Sequence, residues 1–133
     1  MKTSKLIFYL DDDIDDLKFF KQVVNKLGHE VATFLDGREM LYALKHITLK
    51  PDIIFLDIHM PILNGEEILN VIRKNNDYKY IPIVMISGAY PKKLVRSYLE
   101  AGANHMMKKT GISDLKIAVE EILKMDFNFP ISA

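Results

Sequence analysis

The chain has 133 residues, 49% of them hydrophobic, with 18 Lys plus Arg balanced by 18 Asp plus Glu and no Cys. That length fits one domain, able to bury roughly two-thirds of its unfolded-chain surface. Zero net charge excludes a protein whose main work is neutralising nucleic-acid phosphates or gathering at an anionic membrane, and the missing Cys excludes disulfide frameworks, thiolate zinc sites and cysteine nucleophiles.

Met1-Lys2-Thr3-Ser4-Lys5 has the basic character of a signal-peptide start, but the apolar run behind it, Leu6 to Leu10, stops at Asp11. A signal core needs roughly 7–15 apolar residues and a membrane span about 20. No segment reaches either length, so a soluble, cytoplasmic protein is expected. The run reads instead as a first strand. Asp13, Asp15 and Asp16 then read as the cap and solvated first turn of a helix, where acidic groups favour the macrodipole. Leu17, Phe20, Val24 and Leu27 recur at helical spacing, and Gly28 stops that helix.

Glu30 to Phe34 is a second, mixed strand. Asp36-Gly37 opens a helix with Met40, Leu41, Leu44 and Ile47 on one face, ending before Pro51. Ile53 to Leu56 is a third strand, and Glu66 to Lys74 a helix through Ile68, Leu69 and Ile72. Ile83 to Ile86 is a fourth strand. Pro91 opens the next helix, with Leu94, Val95, Tyr98 and Leu99 inside and Gly102 after it. His105-Met106-Met107 is a short fifth strand, and Ser113 with Asp114 caps a helix carrying Leu115, Val119, Ile122 and Leu123. Phe127 and Phe129 are expected to pack back on the body.

The first, third and fourth strands are apolar at every position, which requires cover on both faces. The second and fifth suit edges. Five strand–helix units of this kind predict a three-layer α/β sandwich around a parallel, doubly wound (βα)5 sheet. Ligands bind such sheets outside the carboxyl ends of the strands. The residues there are Asp11 and Asp12 after the first strand, Asp57 after the third, Ser87 after the fourth and Lys109 after the fifth. Two carboxylates at 4 Å repel by about 4 kcal/mol at an effective dielectric of 20. Three are tolerated around a cation, and oxygen-only donors without a His or Cys cluster select Mg2+. Asp57 then becomes a plausible nucleophile toward a phosphoryl group, with Ser87 and Lys109 placed to hold its oxygens.

These residues resemble a known family, the receiver domain of two-component response regulators, over essentially the whole chain. The resemblance is carried by Leu10-Asp11-Asp12, by Pro51 to Pro61 with Gly65, by Ile81 to Gly88, and by Ala101-Gly102-Ala103 eight residues ahead of Lys109. It implies a flavodoxin-like sheet of order 2-1-3-4-5 and a phosphorylation-controlled signalling switch over residues 1–133. Asp57 would be the phosphoacceptor. Asp12 and Asp57 would ligate Mg2+, Asp11 would act through a bound water, and His59 would offer its backbone carbonyl. Ser87 and Lys109 would bind the phosphoryl group. The donor would be a sensor histidine kinase or a phosphotransfer protein. The output would be protein–protein binding, since the length leaves no room for a DNA-binding or enzymatic output domain. Self-association through the face of the fourth helix, fifth strand and fifth helix is a further expectation, with Lys92, Lys93 and Arg96 as its ion-pairing groups.

Two positions depart from the family. Thr110 stands where a proline usually follows the lysine, and Met106 where an aromatic switch residue usually stands. Two rivals fit less well. A haloacid-dehalogenase-like phosphohydrolase places a second carboxylate two residues after its nucleophile, where this chain has His59. A flavin or nucleotide site would bring its phosphate to Asp11–Asp16, five aspartates in six residues with no glycine. A receiver that folds without being phosphorylated is the third alternative, and the complete acidic set argues against it.

Overall fold

The computed structural model describes residues 4–58, 64–88, 92–109 and 112–125. His59, Pro91, Thr110, Phe127 and Phe129, and the side chains of Lys92, Lys93 and Ser113, lie outside the described residues. Strands and helices alternate as β1 (Leu6–Leu10), α1 (Ile14–Lys26), β2 (Glu30–Phe34), α2 (Gly37–His46), β3 (Ile53–Asp57), α3 (Gly65–Lys74), β4 (Ile83–Ser87), α4 (Lys92–Glu100), β5 (His105–Lys108) and α5 (Ile112–Lys124). The five strands pair in parallel in the order β2-β1-β3-β4-β5. The mixed strands β2 and β5 form the edges, as their half-polar composition requires.

Side chains alternate across a strand, so each central strand feeds two cores. Phe8, Leu10, Ile54, Leu56, Ile83 and Met85 join residues of α2, α3 and α4 in one buried cluster. Ile7, Tyr9, Ile53, Phe55, Val84 and Ile86 join α1 and α5 in the other. That arrangement is the three-layer sandwich. The same alternation continues past the strand ends and decides which face each polar residue takes.

Helix starts follow side-chain chemistry. Asp13 caps α1, its carboxylate accepting from the backbone N–H groups of Asp15 and Asp16 at 2.9 and 3.2 Å. Asn64 and Glu67 form a reciprocal capping box on α3. Gly28 and Gly102, at φ 93° and 114°, supply the left-handed turns after α1 and α4. Several expectations shift in detail. Ser113 and Asp114 fall inside the first turn of α5, which begins at Ile112, so they do not cap it from outside. Leu99 is 43% exposed, because α4 buries a narrow stripe through Tyr98 and Leu99 lies about 100° further round the helix. Among the described residues no helix is long and apolar enough to cross a membrane.

Away from the strand ends that carry the carboxylates, Arg73 joins α3 to the starts of β4 and β5. Its guanidinium donates to the carbonyls of Gly102 (2.8 Å), Lys79 (3.0 Å) and Ile81 (2.9 Å) and to Asn104 Oδ1 (2.8 Å). Beside it, His105 opens β5 opposite Val84, and burial pushes its imidazole below the ordinary histidine value. The folded state therefore binds fewer protons there than the unfolded chain. The stability this supplies is present above the unfolded value near 6.5 and is lost as pH falls through the folded one. A urea midpoint that falls between pH 7 and 5 less steeply in His105→Gln than in the native protein is the expected result. Parallel curves would refute it.

Candidate functional site

The carboxyl end of the sheet is assembled by strand register. Leu10 lies opposite Leu56, which sets Asp11 beside Asp57 on adjacent strands. Asp57 lies opposite Ile86 and Ser87 opposite Lys108, and the Lys109 N–H donates to the Ser87 carbonyl at 2.8 Å. Asp57 and Ser87 are the last residues of their strands, each strand running one residue further than its apolar run. Asp11, Asp57 and Ser87 are buried, whereas Asp12 is exposed.

Alternation then sorts them by face. Asp11 shares the parity of Ile7 and Tyr9, Asp57 that of Ile53 and Phe55, and Lys109 that of Met107, so all three continue the rows that face α1 and α5. Ser87 shares the parity of Ile83 and Met85, which face α2, α3 and α4. One carboxylate oxygen each of Asp11, Asp12 and Asp57 lie within 4.8 Å of one another. The Lys109 ammonium sits among them, 3.0 Å from Asp11 Oδ2 and 3.6 Å from Asp57 Oδ2. It also lies 3.0 Å from Asp16 Oδ2. Burial opposes the charge on Lys109, but the hydrogen-bonded carboxylates of Asp11 and Asp16, with Asp57 behind them, outweigh it and raise its pKa above the ordinary lysine value.

Two participants were not legible as site residues. Tyr9 counted as one apolar residue of β1, yet its O–H donates to Asp11 Oδ2. Burial, then the charge and hydrogen bond of Asp11, push its phenol far above the ordinary tyrosine value, so it stays a donor. The signal was available: a hydroxyl two residues before a strand-end carboxylate points the same way. Asp16 was read as solvated face, and its approach to Lys109 crosses 93 residues of sequence. Asp11 is thus held on both oxygens, Oδ1 accepting from the Asp13 N–H at 3.0 Å and Oδ2 from Tyr9 and Lys109.

The donor set suits a hard cation, being oxygen throughout. Met106, at the family's aromatic position, is buried beside Met85 in the cluster of α2, α3 and α4. There it is part of the core.

Comparison with known proteins gives the same reading. The model of the response regulator receiver domain matches residues 7–120. The transcriptional regulatory protein PrrA of Mycobacterium tuberculosis is 32% identical over 124 residues, covering 92% of this chain and 51% of PrrA. The chain therefore spans about half the length of the curated relatives it matches. The phosphorylated cyanobacterial phytochrome response regulator RcpA superposes with a TM-score of 0.80 at 26% identity, covering 90% of this chain and 91% of its own. The Mn2+-bound form of the response regulator Rcp1 does so with a TM-score of 0.77 at 26% identity, covering 89% and 91%. Sequence, sheet order and the acidic strand ends agree: the chain belongs to the response regulator receiver domains, signalling switches that receive phosphate from histidine kinases and generally bind Mg2+.

Proposed function

We propose that this receiver accepts a phosphoryl group on Asp57 from a sensor histidine kinase or a histidine phosphotransfer protein, and signals by binding a protein partner. The observation that carries the reading is the convergence of Asp11, Asp12 and Asp57 within 4.8 Å, with the Lys109 ammonium 3.6 Å from Asp57. In the transfer an Asp57 carboxylate oxygen forms a bond to phosphorus, the P–N bond of the phosphohistidine breaks, and the imidazole keeps the electron pair and takes up a proton. Release is a second transfer, to water: the water oxygen bonds to phosphorus and gives up a proton to solvent, the O–P bond to Asp57 breaks with its electron pair restoring the carboxylate, and inorganic phosphate leaves.

Asp12 and Asp57 would hold Mg2+ directly, Asp11 through water, and His59 through its backbone carbonyl, and an ion held there would neutralise charge on the phosphoryl oxygens. Lys109 would pair with a second oxygen and Ser87 would donate to a third. The transcriptional role in the name of PrrA belongs to that longer protein. For this chain the output is proposed at the level of protein contact, with self-association through α4, β5 and α5 as one form of it.

Incubation with Mg2+ and acetyl phosphate, followed by intact-mass measurement, tests the reading. The native protein is expected to gain one acid-stable, base-labile phosphoryl group and Asp57→Asn none. Equal modification of both, or no modification by acetyl phosphate or phosphoramidate, would refute it. Sedimentation of the modified sample tests self-association, which an unchanged monomer would remove.

A further inference from the structure

Lys109 pairs more closely with Asp11 and Asp16 than with Asp57. Its ammonium is 3.6 Å from the Asp57 carboxylate but 3.0 Å from Asp16, a residue of α1 outside the acidic trio. Asp16 is itself fixed: it occupies the first turn of α1, where its N–H donates to the Asp13 cap. An open cleft of about 40 Å3 between α1 and α5, lined by Tyr9, Asp16, Phe20, Met107, Lys109 and Leu115, borders the ion pair.

From this geometry we propose that Asp16 is a positioning residue that holds the Lys109 ammonium on the α1 side of the site, in competition with the phosphoryl group. The inference rests on the phosphoacceptor reading of Asp57. A phosphoryl group brings about two negative charges and three acceptor oxygens, and Lys109 reaches them by giving up Asp16. Asp11 keeps the Tyr9 and Asp13 donors during that exchange. Asp16 is partly exposed, its side chain 42% accessible, so water takes over its solvation once Lys109 leaves. The first turn of α1 is thereby tied to the unphosphorylated state and released by the phosphorylated one.

The test is the rate of phosphorylation by acetyl phosphate at saturating Mg2+, read by intact mass. Asp16→Asn is expected to raise the rate about three- to fivefold, fivefold being the equivalent of about 1 kcal/mol. Asp16→Glu, which restores the charge, should return to within about twofold of native, on the scale of an exposed ion pair. Asp15→Asn removes a neighbouring charge that makes no contact with Lys109 in the described structure, and should leave the rate unchanged. A native rate in Asp16→Asn, a slower one, an equal rise in Asp15→Asn, or a Glu variant that behaves like Asn would each overturn the proposal. Absence of any phosphoryl group on native Asp57 would instead refute the phosphoacceptor reading beneath it.

Discussion

Gly65→Ala is expected to lower the stability of the protein by about 1–3 kcal/mol, the range for forcing a methyl into a packed core, and to slow phosphorylation of Asp57 by about 10- to 100-fold. A Cβ at position 65 would meet the Asp57 carbonyl oxygen at 2.7 Å, the Met85 methyl at 2.9 Å and Ile58 Cα at 3.2 Å. The methionine can turn away. The carbonyl cannot, because it belongs to the last residue of β3, whose ladder continues to Ile58 N–H donating to Ile86 at 3.0 Å. Relief must come by pushing α3 off the strand or by rotating the backbone of Asp57 itself. Either movement turns the proposed nucleophile, and a displacement of about 1 Å is enough to cost two orders of magnitude in rate. Gly88→Ala is the control, since its Cβ would meet nothing within 4 Å among the described residues. Urea denaturation and acetyl phosphate kinetics on both variants check the prediction, and native behaviour in Gly65→Ala would refute it.

Lys109→Met should have the second large effect, and its size should depend on Mg2+. The substitution keeps much of the apolar stem and removes the ammonium that faces Asp11, Asp16 and Asp57. Breaking a buried pair by deleting one partner costs about 3–5 kcal/mol. Lys109 is 31% exposed, so solvent screening reduces this to about 2–3 kcal/mol in a chelator. A cation that binds only the folded state stabilises it in proportion to the logarithm of its concentration over Kd. Because the ammonium competes for the same oxygens, added Mg2+ should raise the urea midpoint of Lys109→Met more than that of the native protein. An equal loss with and without Mg2+ would show that the residue contributes packing alone.

The strands, their order of burial and the acidic positions were legible because each depends on local pattern. Apolar runs without alternation demand two covered faces, and aspartates that interrupt such runs mark strand ends. Asp57 and Ser87 joined their strands by one residue more than apolarity suggested, since a ladder hydrogen bond is indifferent to side-chain polarity. Leu99 was misplaced because periodicity gives the direction of a helix face and not its width. Arg73 lies in the last turn of α3. Its four hydrogen bonds to the loops before β4 and β5 come from chain segments that only the fold delivers.

The absence of Cys left no thiolate or disulfide chemistry within these residues, and the sequence alone pointed to a parallel sandwich with its carboxylates at one edge. Tertiary structure decided which of those charges meet. The pairing of Lys109 with Asp16, as well as with Asp11 and Asp57, depends on how α1 lies across the ends of β1 and β5. Distances between charges vary by ångströms with that packing, and at these separations ångströms set which ion pair wins. Residue type and spacing carry no such information across 93 positions.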